Sequence, residues 1–201
     1  MTSANGANGQ SGFVRPEIIV VGASAGGLKA LEMILSALPR GFPVPIVAVQ
    51  HRARESSDAY AEVLGRGSAL PVHEIQDEDQ LRAPGVYLAP PDYHVLVEPG
   101  RLVLSIDDPV SYSRPSIDVL FESAADVYGA RVCAVLLTGA NADGAKGLVR
   151  IKQAGGYAIV QDPHTAESPE MPAAGIANAP VDTVLPLAEI AAELVRRIAT
   201  T

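Results

Sequence analysis

Ile18, Ile19, Val20 and Val21 stand in an unbroken run with no polar alternation. Consecutive branched apolar side chains suit a strand covered on both faces, as the strands of a parallel sheet are. The run leads into Gly22-Ala23-Ser24-Ala25-Gly26-Gly27, after which Leu28, Leu31, Ile34, Leu35 and Leu38 recur at helical spacing. A strand, a tight turn of small residues beginning at Gly22 and a helix are therefore expected, with Ser24 the one polar side chain in the turn. Such a turn can wrap a phosphate against a helix N-terminus, as dinucleotide-binding folds do. Alternatively, Gly22-x-Ser24-x-Gly26 has the form of a nucleophile elbow, which projects a serine hydroxyl beside the next residue's N–H.

The rest of the chain narrows the choice. At 201 residues, 48% hydrophobic, it is long enough for one domain with a sizeable core. The first fifteen residues, rich in Gly, Asn and Ser, read as a disordered tail, leaving residues 16–201 as a single domain. A net charge of −8 argues against a nucleic-acid surface. No apolar run approaches the ~20 residues of a membrane span and no signal segment opens the chain, so a cytoplasmic protein without membrane insertion is expected. Cys133, the single cysteine, falls within the apolar run Val132 to Leu137 and reads as a buried thiol, with no disulfide or cysteine zinc site possible within the chain.

Further buried strands are expected at Pro45 to Gln50, Val132 to Leu137 and Tyr157 to Val160, and a last strand at Val181 to Leu185. Helices are expected from Ser57 to Leu64, broken by Gly65 and Gly67, from Ser116 to Gly129, from Gly144 to about Ala154, near Met171 to Ala177 and from Ala188 to Ile198. Pro71 to Ile75 reads as a short extended piece. Val86 to Leu88, Val95 to Val97 and Leu102 to Leu104 alternate and read as a β insertion, the last two joined as a hairpin by Glu98-Pro99-Gly100. This order specifies a doubly wound, three-layer α/β sandwich with a mostly parallel sheet and the hairpin at one edge.

In such sheets ligands bind beyond the carboxyl ends of the strands. Ser24 follows the first buried strand, His51 the second, the loop of Asn141 and Asp143 the Val132 strand, and Asp162 and His164 the Tyr157 strand. Serine, histidine and carboxylate on one rim are the parts of a Ser-His-Asp triad. Asp143 and Asp162 both qualify as the carboxylate, with the Gly139 and Gly144 flanks favouring Asp143. A dinucleotide site would instead place an acidic residue after the second strand, where Gln50 and His51 stand.

Several separate blocks then carry a resemblance. Gly22 to Gly27, Gln50-His51, Ala89-Pro90-Pro91-Asp92-Tyr93-His94, Arg114 to Phe121, Leu137-Thr138-Gly139 through Asp143-Gly144, Gln161-Asp162 and Met171-Pro172 together resemble the catalytic domain of the chemotaxis protein-glutamate methylesterases, the CheB family. The resemblance spans about Glu17 to Ile198. It implies Ser24 as nucleophile, His51 as general base and acid, and Asp143 as orienting carboxylate, with no metal or organic cofactor. It also implies hydrolysis of glutamyl methyl esters on the cytoplasmic helices of methylated chemoreceptors, often with deamidation of glutamines. An oxyanion site is expected from the N–H of Ala25 and one from the Gly139 to Ala142 loop, taken as Ala140, with His94, Arg114 and Met171 as substrate walls. The sequence departs from the family pattern at Ala25, at Ala140-Asn141, at Arg52-Ala53 and at Pro169-Glu170, and no receiver domain precedes the catalytic blocks. Two readings follow: a stand-alone or excised active esterase, or a non-catalytic relative that binds a receptor or other helical partner.

Overall fold

The computed structural model describes residues 14–52 and 59–199. The expected tail up to residue 13 and the helix start at Ser57 lie outside the described residues. Seven strands among the described residues form one sheet: β1 (Ile18–Ala23), β2 (Ile46–Gln50), β3 (Val72–Glu74), β4 (Val86–Leu88), β7 (Val132–Leu136), β8 (Tyr157–Gln161) and β9 (Thr183–Leu185). Every pairing is parallel, in the order β3-β4-β2-β1-β7-β8-β9. Strands β5 (His94–Glu98) and β6 (Arg101–Ser105) form the expected antiparallel hairpin. The helices are α1 (Gly27–Ala37), α2 (Ala59–Gly67), α3 (Ile117–Tyr128), α4 (Ala145–Gln153), α5 (Glu170–Asn178) and α6 (Leu187–Ala199).

The unbroken apolar runs are used on both faces. In β1, Ile18 and Val20 enter a cluster with Phe121 of α3, Leu148 of α4, Met171 of α5 and Val95 of the hairpin. Ile19 and Val21 enter a second cluster with Leu31 and Leu35 of α1, Leu64 of α2 and Leu194 of α6. The sheet thus separates two cores, each a layer of the sandwich. Cys133 belongs to the second core; burial pushes its thiol up to about 12.

Three expectations are revised. The chain does not turn at Gly22: the ladder with β2 continues to the pair Ala23↔Gln50, and Ser24 N–H still donates to Thr138 O at 2.9 Å, so the turn occupies Ser24 to Gly26. Gly65 lies inside α2 rather than breaking it, since an exposed glycine costs a helix only about 1 kcal/mol, and the helix runs on to Gly67, its last residue. Val86–Leu88, grouped with the hairpin by its neighbours in sequence, is fully buried and sits in the main sheet between β3 and β2. The hairpin forms a separate two-stranded sheet, with Val95 and Val97 in the α3 core.

Candidate active site

Strand order reverses between β1 and β7, so their carboxyl ends open the crevice in which doubly wound sheets bind ligands. Ser24 leaves β1 there. The left-handed residue of its turn is Gly26, at φ 77°, which starts α1; Ser24 itself is not left-handed, unlike the strained serine of a hydrolase elbow. Three elements hold the turn. Gln50, at the end of β2, donates through Nε2 to Ser24 O (2.8 Å) and His51 O (2.9 Å). Thr138 Oγ1, past β7, donates to Ala25 O at 2.8 Å. Gln161, at the end of β8, accepts Thr138 N–H at 2.9 Å and donates to Thr165 O at 3.0 Å. The backbone N–H groups of Ala25 and Ala140 have no hydrogen-bond acceptor among the described residues.

His51 follows β2, and its Nε2 lies 2.9 Å from Asp143 Oδ2. The Asp143 side chain is completely buried and that of His51 is 13% exposed. The carboxylate is surrounded by donors from the start of α3: Oδ2 also accepts Ile117 N–H (2.7 Å), and Oδ1 accepts Ser116 Oγ–H (2.9 Å) and Asp118 N–H (3.0 Å). Gly144 N–H adds a third bond to Oδ1 at 3.0 Å. Burial alone would raise this carboxyl; the bond from His51 and the N–H groups of Ile117 and Asp118 outweigh it and hold the group below the ordinary value of 3.8. A helix N-terminus is suited to keeping a buried carboxylate ionised.

Because Nε2 faces Asp143, the ring nitrogen left for a serine is Nδ1, the reverse of the usual assignment in Ser-His-Asp triads. Ser24 and His51 line one cavity of about 720 Å³ with Gln50, Lys29, Glu32 and Tyr60. Neither Ser24 Oγ nor His51 Nδ1 makes a hydrogen bond among the described residues. Asp162, the rival carboxylate, accepts His164 N–H at 2.9 Å and caps the short 3-10 turn of Pro163–Thr165. His164 is exposed on that turn and lines a separate cavity with Lys29 and Met33.

The residues expected as walls divide. Arg114 lines a second cavity of about 320 Å³ with His51, Arg52 and Tyr112. Its guanidinium is held by Asp92 Oδ1 (2.8 and 3.1 Å) and the carbonyls of Ile106 (2.7 Å) and Asp107 (3.0 Å). His94 lines neither cavity: it is buried, its Nδ1 accepts Ser116 N–H and its Nε2 faces Asp108 O, each at 3.2 Å. It therefore supports Ser116, whose hydroxyl in turn donates to Asp143. Met171 is fully buried beneath Gly139, whose carbonyl accepts Met171 N–H at 2.8 Å. Gly139 N–H is taken by Ser168 O at 3.0 Å, which leaves Ala140 as the loop's first N–H without an acceptor among the described residues.

Sequence reasoning missed Gln50, Ser116, Asp118 and Arg52 as site supports. Arg52 reads only as a departure from a family pattern, yet its side chain is 1% exposed, pairs with Glu74, donates to Ala89 O at 3.1 Å and lies over the Tyr60 ring. The signal for Ser116 and Asp118 was their place at a helix start, where free N–H groups gather.

The family model for CheB methylesterase matches residues 19–194. The chain belongs to the CheB methylesterase family. Its likeness to individual members is high: a putative protein-glutamate methylesterase/protein-glutamine glutaminase of Leptospira interrogans is 45% identical over 181 residues, 90% of this chain and 94% of that one. The protein-glutamate methylesterase/protein-glutamine glutaminase 1 of Carboxydothermus hydrogenoformans is 43% identical over 188 residues, 90% of this chain but 55% of that one. The crystal structure of the Thermotoga maritima CheB methylesterase catalytic domain superposes with a TM-score of 0.86 at 35% identity, covering 91% of this chain and 99% of that domain. Among the described residues, no helix is long and apolar enough to cross a membrane.

Proposed function

We propose that this chain is a protein-glutamate methylesterase in which Ser24 is the nucleophile, His51 the proton carrier and Asp143 the orienting carboxylate. The observation that carries the assignment is the 2.9 Å bond between His51 and the buried Asp143, on the rim where His51 and Ser24 share a cavity. Asp143 fixes the tautomer with the proton on Nε2, so Nδ1 carries the lone pair that accepts the Ser24 proton. Ser24 Oγ attacks the ester carbonyl, and the imidazolium that forms is stabilised by Asp143. The tetrahedral oxyanion is met by the N–H groups of Ala25 and Ala140. Collapse expels methanol, protonated by His51, and water activated by the same ring then hydrolyses the acyl-enzyme to free glutamate and serine. A glutamine side chain follows the same path with ammonia as the leaving group.

The substrates proposed are methylated glutamates on the cytoplasmic helices of chemoreceptors, which makes the cytoplasm the site of action. Family membership and the two cores sharing one sheet support residues 16–201 as one catalytic unit. The unbonded Ser24 hydroxyl favours a second reading, a domain that binds a receptor-like helix without catalysis. Catalytic hydrogen bonds are, however, often formed only once substrate arrives. Methanol release from methylated receptor separates the two: Ser24→Ala reduces the rate by ~10³-fold or more for the esterase, and equal release by both proteins eliminates it.

A further inference from the structure

Asp143 is not the only carboxylate buried at the crevice. Asp118, the second residue of α3, is 3% exposed, and its Oδ1 accepts the N–H of Gly147 at 2.7 Å, in the first turn of α4. Asp143, just before α4, sends its carboxylate the other way, onto the N–H groups of Ile117 and Asp118 in the first turn of α3 (2.7 and 3.0 Å). Each helix start is thus capped by a side chain from the other. A β-carbon at Gly147 would stand 2.6 Å from Phe121 Cβ and 3.2 Å from Asp118 Cα, so the two helices meet closely where the exchange takes place.

We infer that Asp118 is a positioning residue for the His51–Asp143 pair: the reciprocal clasp between the starts of α3 and α4 fixes the loop that carries Asp143. The inference rests on the triad reading given above. Asp143 is joined to α4 through Gly144 alone, and its carboxylate must meet His51 Nε2 and the start of α3 together. Without an acceptor for Gly147 N–H, the first turn of α4 loses its polar tether to α3. Displacements of about 1 Å at such a site reduce turnover by up to ~10²-fold.

The ionisable groups acting on Asp118 are Asp143, whose Oδ1 accepts its N–H, and Glu122 one turn further along α3; His51 bonds the other oxygen of Asp143, and His94 of β5 accepts Ser116 N–H. α4 carries Lys146 and Arg150, both exposed, with Arg150 on Asp126 at 2.6 Å, and Lys152, which is on Asp182 at 2.6 Å. β1 has no ionisable side chain, and Cys133 of β7 belongs to the opposite core. Burial, with the neighbouring Asp143 charge, pushes Asp118 up to about 6, against the opposing N–H of Gly147.

The test compares Asp118→Ala, which removes the acceptor, with Asp118→Asn, which keeps one. Two readouts are taken: kcat and KM on a methyl-ester receptor substrate, and the downfield proton resonance of His51 Nε2–H. Asp118→Ala is expected to lower kcat about tenfold, with KM within twofold, and to broaden or remove the resonance; Asp118→Asn retains both within threefold. Asp118→Leu, which fills the volume without an acceptor, replaces the alanine variant if that does not fold. A wild-type resonance and kcat in the acceptor-free variant would overturn the inference, as would an effect on KM alone or an asparagine variant as impaired as alanine. The resonance requires no turnover, so it judges the clasp even where methanol release shows that the esterase reading fails.

Discussion

Asp143 is the residue on which structure and chemistry converge. Its carboxylate accepts bonds from His51, Ser116, Ile117, Asp118 and Gly144. Asp143→Asn must present an N–H to at least one of those donors, and it no longer selects the His51 tautomer. We expect kcat to fall by ~10³–10⁴-fold and urea unfolding to show a loss of about 3–5 kcal/mol, as when a buried charged partner is removed. Retained activity would place the orienting carboxylate elsewhere. The two aspartates also act oppositely on pH-dependent stability. Asp143 is held below 3.8, so its contribution is complete above the ordinary carboxylate range and is lost as pH falls through its lowered native value. Asp118 is raised from 3.8 to about 6, so the native state holds the extra proton between those values. Stability therefore declines as pH rises from about 4 to about 6 and levels off above. Urea denaturation across that window shows the decline in wild type and a shallower one in Asp118→Asn; parallel curves would remove the raised value.

At the scale of elements, the site depends on how closely the β7 loop approaches the Ser24 turn. A β-carbon at Gly139 would lie 2.5 Å from Met171 Cε, 2.7 Å from its Sδ and 2.9 Å from Ser24 Cβ. The methionine can flex, but the serine's β-carbon can move only with its turn. Gly139→Ala is expected to cost about 1–3 kcal/mol by overpacking and to lower kcat about tenfold or more, as 1 Å displacements do. Unchanged kinetics would mean that the loop and the turn move independently. The same approach explains what was legible in the sequence. β1, β2, β7 and β8 declare themselves by unbroken apolar runs, so the residues after them, Ser24, His51, Asp143 and Asp162, could be placed on one rim. The choice between Asp143 and Asp162 turned on glycine flanks and on the family resemblance, whereas the structure separates them by what each caps. Val86–Leu88 was misplaced because three residues give no periodicity, and its partner β3 is equally short. Asp118 shows in the sequence only as a residue at a helix start; that it caps a different helix leaves no local pattern.

For the whole molecule, the sheet divides labour between two cores. The layer of α3, α4 and α5 contains Ile117, Phe121, Leu148 and Met171 and stands beneath Asp143 and Gly139. The layer of α1, α2 and α6 contains Leu31, Leu64, Ile190 and Leu194, and reaches the rim through the start of α1 and through Tyr60 of α2. Leu194 is 1% exposed on α6, so Leu194→Ala is expected to cost about 2–5 kcal/mol in urea unfolding. With Leu194 in the core opposite Asp143, kcat below the melting range stays within twofold of wild type. A comparable fall in kcat would show that the layers are coupled through the strands. Tolerance to change is accordingly lopsided: heat-sensitive yet fully competent variants should gather under α6 and the far half of α1, while sturdy but inert ones should gather along the facing edges of α3 and α4.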